Sequence, residues 1–480
     1  MLFNSINFLV FFPVTTVLYF MIRPQWRWFF LLLASCFFYL SLVPAYILIL
    51  FLIISVDYVA GILIERSVGT QRKWYLMTSI VINLGCLLFF KYGNFIAENV
   101  HQIAQFFNWQ YSLSLLEIVL PVGLSFHTFQ AMSYTIDVYR GQQRAERHLG
   151  YYALFVLFYP QLVAGPIERA HHLLPQLKKE HQFDAQRVIS GLRLMLWGFF
   201  KKLVVANKLA FVVRAAYDAP TLPEGRILAI ATLYFAIQIY ADFSGYVDIA
   251  RGAARVMGFH LSENFNLPYF AQSVREFWQR WHITLYQWFR DYVYIPLGGN
   301  KKGIVRTMIN IFIVFALTGL WHGAQWTFVV WGLLHGFFVS IEVMVKKSRQ
   351  KIHDSLVPGL MGHLLKPLRV ISTFLVVCFS WIFFRAESLP KAFEIIIKIS
   401  LDGGRFFQYD FLYYIFAIHL FLFFSIAVFF IGEIIRHNDV RRLQWERLPV
   451  WFTWPMYYAL IAWILYFGDF GTAPFIYFQF

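Results

Sequence analysis

The chain has 480 residues, of which 59% are hydrophobic, 20% aromatic and only 14% charged. Soluble domains contain about half apolar and a quarter charged residues, so a large soluble domain is excluded and an integral membrane protein is indicated. The net charge of +15 comes from basic residues in short connectors between apolar runs. This pattern is typical of a polytopic protein that faces anionic lipid, not of a nucleic-acid-binding protein.

Apolar stretches long enough to cross a bilayer as helices recur along the whole chain. The first, about Phe8 to Ile22, has no basic leader and no A-x-A cleavage site and contains Pro13, so we interpret it as a retained span and not a signal peptide. We predict spans at 6–22, 28–42, 45–64, 75–91, 119–138, 150–164, 187–212, 226–254, 366–386, 410–433 and 451–468, with two more pieces between 307 and 345. The predicted fold is all-α and polytopic, with about 11 to 13 transmembrane helices.

The basic connectors also predict an orientation, with both termini outside. The connectors assigned to the cytoplasm contain Arg23 with Arg27, Arg66 to Lys73, Arg140 to Arg147, Lys301 to Arg306, Lys346 to Lys351 and Arg436 to Arg447. Two segments, 165–186 and 261–306, are too polar to face lipid and too aromatic for flexible loops. Such backbone is tolerated at membrane depth only where protein or a water-filled cavity covers it. We therefore predict re-entrant segments that line a tunnel.

The polar residues are distributed unevenly within what we predict to be one membrane domain, 1–480. No internal repeat, linker or low-complexity tract divides it. Residues 1–120 contain one obvious intramembrane acid, Asp57, and are predicted to be peripheral helices. Most polar residues lie in the predicted catalytic core, 121–345, which is followed by C-terminal helices in 346–480. Three cysteines lie far apart inside apolar runs and are interpreted as small core residues.

The stretch SVREFWQRWHITLYQWFRDYVYIPLGGN, Ser273 to Asn300, combines cations with tryptophans. A helix here would place four polar side chains on one face. These are Arg275, Gln279, His282 and Tyr286. Glu276 and Arg280 would form an i,i+4 pair. Two interpretations remain open: the wall of a wet cavity, or an interfacial amphipathic helix with tryptophans at headgroup level. The closing PLGGN indicates a tight turn.

The stretch TGLWHGAQW, Thr318 to Trp326, places an ionisable residue, His322, inside an apolar run. Gly319 and Gly323 are predicted to break the helix and let His322 face a cavity. An imidazole has a pKa close to working pH, which suits it to take a proton from a hydroxyl and return it elsewhere. The alternative is a core histidine hydrogen-bonded to a carbonyl.

Three further polar clusters accompany these stretches. They are SFHTFQAMSYTIDVYRG with His127 and Gln130, YPQLVAGPIER, and QIYADFSGYVDIARG with Gln238 and Asp242. Each alone is explained by hydrogen bonding between helices, but together they require a polar interior. Dinucleotide, P-loop, zinc-protease and nucleophile-elbow motifs are absent from the sequence, and the adjacent His171 and His172 make a poor metal site.

Together these motifs resemble those of the membrane-bound O-acyltransferase family, in the bacterial branch of alginate O-acetylation proteins and related peptidoglycan- and teichoic-acid-modifying proteins. The match runs from near the first residue to beyond His335, whereas the last 130 residues match mainly in hydropathy. The resemblance implies a ring of helices around a central tunnel, which the acyl donor enters from the cytoplasm and the acceptor from the other side. It also implies that His322 is the catalytic general base and that His282 orients or polarises the thioester carbonyl.

The resemblance implies an acetyltransferase in the bacterial cytoplasmic (inner) membrane. Acetyl-CoA is the expected donor, with no tightly bound cofactor and no metal, and an extracytoplasmic polysaccharide, alginate-like or peptidoglycan, is the expected acceptor. An extracytoplasmic partner protein is expected to complete the modification. The candidates for substrate-binding or tunnel-lining positions are Arg275, Gln279, Arg280, Trp281, Tyr286, Asp242, Gln238, His127, Gln130, Trp321 and Trp326.

Donors to the developing oxyanion are left open, with Arg275, Gln279 and Arg280 as candidates. Two other functions also remain open. One is D-alanyl transfer from a carrier protein to teichoic acid. The other is a transporter or flippase in which Asp242, Asp248 and His322 relay protons, although the inverted repeats common in transporters are not found in the sequence.

Overall fold

The computed structural model describes residues 1–42, 44–109, 121, 123–356, 360–402, 409–438, 448–471, 475 and 476. Helices make up 79% of it. Over these ranges there is no strand, and the one isolated β-bridge joins Phe265 to Trp281. The predicted all-α fold is confirmed.

The helices follow one another with short connections. In the first half of the chain they are α1 (Ile6–Met21), α2 (Arg27–Leu40), α3 (Ile47–Arg66), α4 (Gly69–Leu87), α5 (Gly93–Phe106), α6 (Leu124–Tyr139), α7 (Leu149–Leu157), α8 (Ala170–Lys178), α9 (Ala185–Phe199) and α10 (Asn207–Tyr217). In the second half they are α11 (Gly225–Met257), α12 (Val274–Arg280), α13 (Ile283–Phe289), α14 (Ile304–His322), α15 (Trp326–Leu356), α16 (Leu360–Arg385), α17 (Leu389–Leu401), α18 (Tyr409–His437) and α19 (Val450–Phe467). Short 3₁₀ turns lie at Pro24–Trp26, Pro44–Tyr46 and Pro268–Phe270, and π-helical turns at Leu88–Tyr92, Phe200–Ala206 and Arg290–Tyr294.

Eight helical segments in the described part of the chain are long and apolar enough to cross a membrane, and α1 is a shorter apolar helix. This confirms a multi-pass membrane protein. The number of 11 to 13 spans stays a prediction, because α2 and α6 have only 14 and 16 residues. The predicted span 150–164 is too long, since α7 ends at Leu157 and turns follow. The predicted span 187–212 is interrupted by the π-helical turn Phe200–Ala206.

The chain forms two compact units. The first unit comprises Met1–Met195 and Val247–Ser262, and the second unit comprises Leu196–Tyr246 and Glu263–Phe480. Helix α11 is therefore assigned to the second unit up to Tyr246 and to the first from Val247 onward. The predicted division into peripheral, catalytic and C-terminal regions stays a prediction.

In the first unit, α3 and α4 are joined by the intramembrane acid that the sequence singled out. The Asp57 carboxylate accepts hydrogen bonds from Ser79 Oγ at 2.5 Å and from Asn83 Nδ2 at 2.9 Å. All three side chains are fully buried. Because the acid is hydrogen-bonded within the protein, its role is to hold helices together.

In the second unit, α14 and α15 form a hairpin whose helices approach closely at glycines. A Cβ atom on Gly319 would lie 2.3 Å from the Phe328 carbonyl oxygen, and one on Gly332 would lie 2.2 Å from the Phe315 carbonyl oxygen. No other residue fits at these two positions without moving the backbone. The hairpin places its tip, where α14 ends at His322, at a fixed position in this unit.

Candidate active site

Helix α12 begins at a well-capped terminus. Ser273 Oγ accepts a hydrogen bond from the Glu276 N–H at 3.1 Å. The Glu342 carboxylate accepts from the N–H groups of Val274 at 2.6 Å and Arg275 at 3.0 Å. These acceptors satisfy the free N–H groups of the first turn. Helix α12 is thus fixed to α15, which carries Glu342.

The chain breaks between α12 and α13 at His282. Its backbone has φ +44° and ψ +54°, a left-handed conformation that residues other than glycine rarely adopt. Such strain persists only where the surroundings enforce it and is concentrated at functional sites. His282 is fully buried.

The segment 263–267 enforces this conformation by running antiparallel to 280–284. The Asn266 N–H donates to the Arg280 carbonyl at 3.0 Å, and the Ile283 N–H donates to the Asn264 carbonyl at 3.0 Å. Asn264 Oδ1 accepts from the Thr284 N–H at 3.1 Å and from Thr284 Oγ1 at 2.7 Å. The backbone on both sides of His282 is therefore hydrogen-bonded to one partner segment.

The prediction that Ser273–Asn300 presents one continuous polar face is wrong, because the break at His282 interrupts the helix. Arg275 and Gln279 are exposed and Tyr286 is half-buried, whereas His282 is fully buried. The predicted ion pair exists, with Arg280 Nη2 2.5 Å from Glu276 Oε1. The PLGGN turn is confirmed, since both of its glycines have positive φ.

His322 is the last residue of α14. Gly323 follows in an extended conformation with φ −158° and ψ 150°, so the predicted helix break lies immediately after the histidine. The His322 ring centroid lies 4.9 Å from those of Trp321 and Trp331 and 5.3 Å from that of Phe384. The residue is 3% exposed.

The two histidines meet at Trp321, although 40 positions separate them in the sequence. The His282 ring centroid lies 5.8 Å from that of Trp321 and 4.8 Å from that of Phe243. Both imidazoles thus contact the same indole in the second unit. The structure thus brings the two histidines to one indole. Their chemical roles stay a prediction.

Three more tryptophans, Trp281, Trp331 and Trp381, form a row of contacting rings that reaches His322 through Trp331. The ring centroid of Trp381 lies 5.4 Å from that of Trp281 and 5.6 Å from that of Trp331. All three side chains are buried, and their indole Nε1 atoms have no hydrogen-bond partner among the described residues. Each of these indole N–H groups can donate one hydrogen bond.

Asp242 and Gln238 lie on α11. Asp242 Oδ1 forms an ion pair with Lys202 Nζ at 2.7 Å, and its Oδ2 accepts from the Ile476 N–H at 2.9 Å. Gln238 is buried, and its Oε1 has no partner within the described ranges. Asp242 immediately precedes Phe243, the residue that contacts His282.

The remaining candidates lie away from this pair in sequence and environment. His127 and Gln130 are buried in the first unit, where Gln130 Nε2 donates to the Phe155 carbonyl at 2.7 Å. Trp326 begins α15 and is 54% exposed. A tunnel-lining role for these three stays a prediction.

The AGPIER motif holds a turn of the first unit in place. Glu168 Oε1 accepts from the Ser262 N–H at 2.5 Å, and Glu168 Oε2 lies 2.6 Å from His172 Nδ1. The hydrogen bond that Glu168 accepts from the His172 ring raises the pKa of His172, because a neighbouring carboxylate favours the charged imidazolium. These contacts within the first unit give the AGPIER motif a structural role.

Sequence reasoning missed a buried ionic cluster in the second unit. Glu433 accepts from Trp197 Nε1 at 2.9 Å, Lys201 Nζ at 3.2 Å and the Tyr240 hydroxyl at 2.6 Å. Lys201 and Glu433 are fully buried. The available signal was the pair of lysines inside a predicted span, since ionisable residues at membrane depth require a partner. Both lysines lie on the π-helical turn Phe200–Ala206, a deformation common at functional sites.

These features define a polytopic helical membrane protein in which two buried histidines contact one indole, that of Trp321. Comparison with known proteins agrees. Residues 142–385 match the membrane-bound O-acyltransferase family, and both histidines lie within this range. The chain belongs to the membrane-bound O-acyltransferase family and is an acyltransferase. Members of the family use acyl donors rather than tightly bound cofactors.

The relatives differ in the acyl group that their names specify and in their identity to this chain. The chain is 38% identical to a "Probable alginate O-acetylase" of Pseudomonas aeruginosa over 82% of this chain and 74% of that protein. It is 33% identical to a peptidoglycan O-acetyltransferase of Helicobacter pylori over 84% and 80%, respectively. It is 27% identical to a teichoic acid D-alanyltransferase of Bacillus subtilis over 55% and 69%. O-acetyl transfer is therefore favoured over D-alanyl transfer.

We expect Asn264→Ala to lower kcat several-fold more than it changes KM. The substitution removes the two hydrogen bonds that Thr284 donates to Asn264 Oδ1. Each such bond contributes about 0.5–1.5 kcal/mol, so the backbone beside His282 is held less firmly. Acyl transfer by purified protein checks this. Asn264→Asp, which keeps an acceptor oxygen, should recover part of kcat.

Asn310→Ala is the matched control. It removes another buried asparagine of the second unit, whose Nδ2 donates to the Gly299 carbonyl at 2.9 Å. It should lower thermal stability while kcat is largely retained. Equal loss of kcat in the two alanine variants would contradict a positioning role for Asn264.

Proposed function

We propose that this protein transfers an acetyl group from cytoplasmic acetyl-CoA across the bacterial inner membrane for O-acetylation of an extracytoplasmic polysaccharide, alginate-like or peptidoglycan. The observation that carries the proposal is the contact of His282 and His322 with one indole, Trp321. A buried site protects a thioester from hydrolysis. The names of the relatives, O-acetylase and O-acetyltransferase, support the acetyl group and the polymer.

In the proposed reaction His322 is the general base. It takes the proton of the acceptor hydroxyl while the hydroxyl oxygen attacks the thioester carbonyl carbon. The new C–O bond forms, the C–S bond then breaks, and the departing thiolate of CoA receives the proton from the imidazolium. His322 lies at the C-terminus of α14, where the helix dipole favours positive charge.

His282 orients or polarises the thioester carbonyl in this proposal. The earlier candidates for oxyanion donors fit poorly, since Arg275 and Gln279 are exposed and Arg280 pairs with Glu276. The indole N–H of Trp331 is a better candidate. It is buried 4.9 Å, ring to ring, from His322 and has no hydrogen-bond partner in the described part of the protein. Donors of this kind stabilise the negative charge that develops on the carbonyl oxygen.

The position of the basic residues supports an orientation of α14 in the membrane. Lys301 and Lys302 lie just before α14 and Arg306 lies in its first turn, whereas the helix ends at His322. By the positive-inside rule this helix runs from the cytoplasm outward. The acetyl group would thus reach an acceptor on the outer side, where a partner protein completes the modification of the polysaccharide.

Inside-out membrane vesicles test the donor. With radiolabelled acetyl-CoA outside and an acceptor polysaccharide inside, we expect label to accumulate as alkali-labile ester in the lumen. A D-alanyl-loaded carrier protein should give no product. Transfer from that carrier and none from acetyl-CoA would overturn the proposal, as would proton-coupled solute movement without any thioester cleavage.

A further inference from the structure

A basic patch lies at the start of α14 in the second unit. Its cations are Lys301, Lys302 and Arg306, and all three residues are exposed. No acidic residue occurs between Asp291 and Glu342 in the sequence. Within the described ranges, none of the three cationic side chains has an ion-pair or hydrogen-bond partner. The patch therefore carries positive charge that this part of the protein does not neutralise.

Cations in other basic connectors differ, because the protein itself uses them. In the first unit, Arg27 Nη1 donates to the His181 carbonyl at 2.6 Å, and Arg147 forms an ion pair with Glu65. These arginines hold two parts of the chain together. The cations of the patch make no such contact within the described structure, so they can bind an anion from outside the protein.

The turn that carries the patch is held in place by α14. Asn310 on this helix is fully buried, and its Nδ2 donates to the Gly299 carbonyl at 2.9 Å. Gly303 has φ +82°, a conformation that glycine adopts without strain. A Cβ atom on Gly298 would lie 3.0 Å from Lys302 Cδ, so the stem of Lys302 lies against the turn. A turn held in this way reduces the ordering that a ligand must impose on binding.

A row of exposed apolar side chains runs along α14 from the patch. Its members are spaced four residues apart and follow one another along one side of the helix. They are Val305, Ile309, Ile313 and Leu317, each between 37% and 68% exposed. Helix α14 is long and apolar enough to cross a membrane. The row therefore faces acyl chains, and the cations at its end lie at the level of the lipid headgroups.

The patch is separate from the two histidines. Helix α14 has 19 residues, which corresponds to a length of about 28 Å, and His322 is its last residue. A ligand of the patch therefore lies far from the acyl group that reacts at His322. Cations beside an apolar row match an amphiphilic anion, since a small soluble anion would contact only the cations.

We infer that the patch binds the phosphate of an anionic phospholipid, with Lys301, Lys302 and Arg306 as its ligands and the acyl chains along the row from Val305 to Leu317. The lysines provide point charges, and the arginine can donate two parallel hydrogen bonds to one phosphate. Attraction between anionic headgroups and cations at the membrane surface favours this binding. The bound lipid stabilises the start of α14, the helix that ends at His322. The inference does not depend on the proposed reaction.

Binding of two short-chain lipids to the full-length protein in uncharged detergent tests the inference. Dioctanoyl phosphatidylglycerol should bind more tightly than dioctanoyl phosphatidylcholine and raise the melting temperature more, because the choline cation neutralises its own phosphate. Lys301→Gln, Lys302→Gln and Arg306→Gln should each weaken binding of phosphatidylglycerol roughly fivefold. Binding of phosphatidylcholine should be unchanged in these variants, and added salt should weaken only the binding of phosphatidylglycerol.

Matched variants separate the patch from general effects. Lys208→Gln removes one exposed charge from α10, outside the patch, and should leave binding of phosphatidylglycerol unchanged. Lys301→Arg keeps the charge and should keep the affinity. Ile309→Ser should weaken binding of both lipids by a similar factor, because it changes only the apolar row. Melting temperatures without added lipid should be equal in the wild type and the charge variants, which excludes unfolding as the cause of lost binding.

Two results would overturn the inference: equal affinity for the two lipids, or equal losses in Lys208→Gln and Lys301→Gln. Inorganic phosphate serves as the soluble probe and should bind much more weakly than phosphatidylglycerol. Equally tight binding of inorganic phosphate would overturn the inference in favour of a soluble phosphate ligand. His322→Ala should bind phosphatidylglycerol like the wild type, so the outcome is independent of acetyl transfer.

Discussion

Replacing His322 with alanine is expected to lower kcat for acetyl transfer by about 10²- to 10⁴-fold, the usual contribution of a general base. Without this imidazole the acceptor hydroxyl keeps its proton when it attacks the thioester carbonyl carbon. KM for the donor should change little, since the proton transfer occurs in the transition state and not in binding. Transfer of labelled acetyl groups at equal protein concentration measures both parameters.

His335→Gln is the matched control for this variant. His335 is a fully buried histidine on α15, and its Nε2 lies 2.9 Å from Ser380 Oγ. Loss of this contact should lower thermal stability by a similar amount to His322→Ala, because both substitutions disturb buried aromatic packing. Activity should survive in His335→Gln. A His322→Ala enzyme that retains activity within about twofold would rule out the role of general base.

The sequence predicted those features that depend on local pattern. Long apolar runs gave the helices, because a span must satisfy its backbone hydrogen bonds internally. The end of α14 at His322 followed from Gly319 and Gly323, which allow a break and a close approach to α15. The PLGGN turn followed from the freedom of glycine at positive φ.

Features that depend on distant partners were not predictable from periodicity. The left-handed backbone of His282 is held by Asn264 and Asn266, and no helical repeat in Ser273–Asn300 signals that contact. The predicted polar face of four residues is therefore interrupted at His282. Likewise, Lys201 and Glu433 form an ion pair although 232 positions separate them in the sequence. The sequence shows that each span contains a charged residue, but it does not show that the two residues pair.

The cluster around Glu433 leads to the second large expected effect. Glu433→Ala removes the partner of Lys201, whose side chain is fully buried. It also leaves the donors of Trp197 and Tyr240 without their acceptor. Removing one member of a buried ion pair costs about 3–5 kcal/mol. We therefore expect a large fall in the melting temperature of the purified protein and poor recovery from membranes.

A double-mutant cycle gives this prediction its sharpest form. Lys201→Met should be destabilising alone for the same reason, whereas Lys201→Met combined with Glu433→Met should be more stable than either single variant, because neither of the two fully buried charges remains. Arg436, which also lies 3.9 Å from Glu433, has a partly exposed side chain. Ser425→Ala on α18 serves as the control, since its hydroxyl only donates to the Phe421 carbonyl one turn earlier. Additive losses in the double variant would show that the two charges do not stabilise each other.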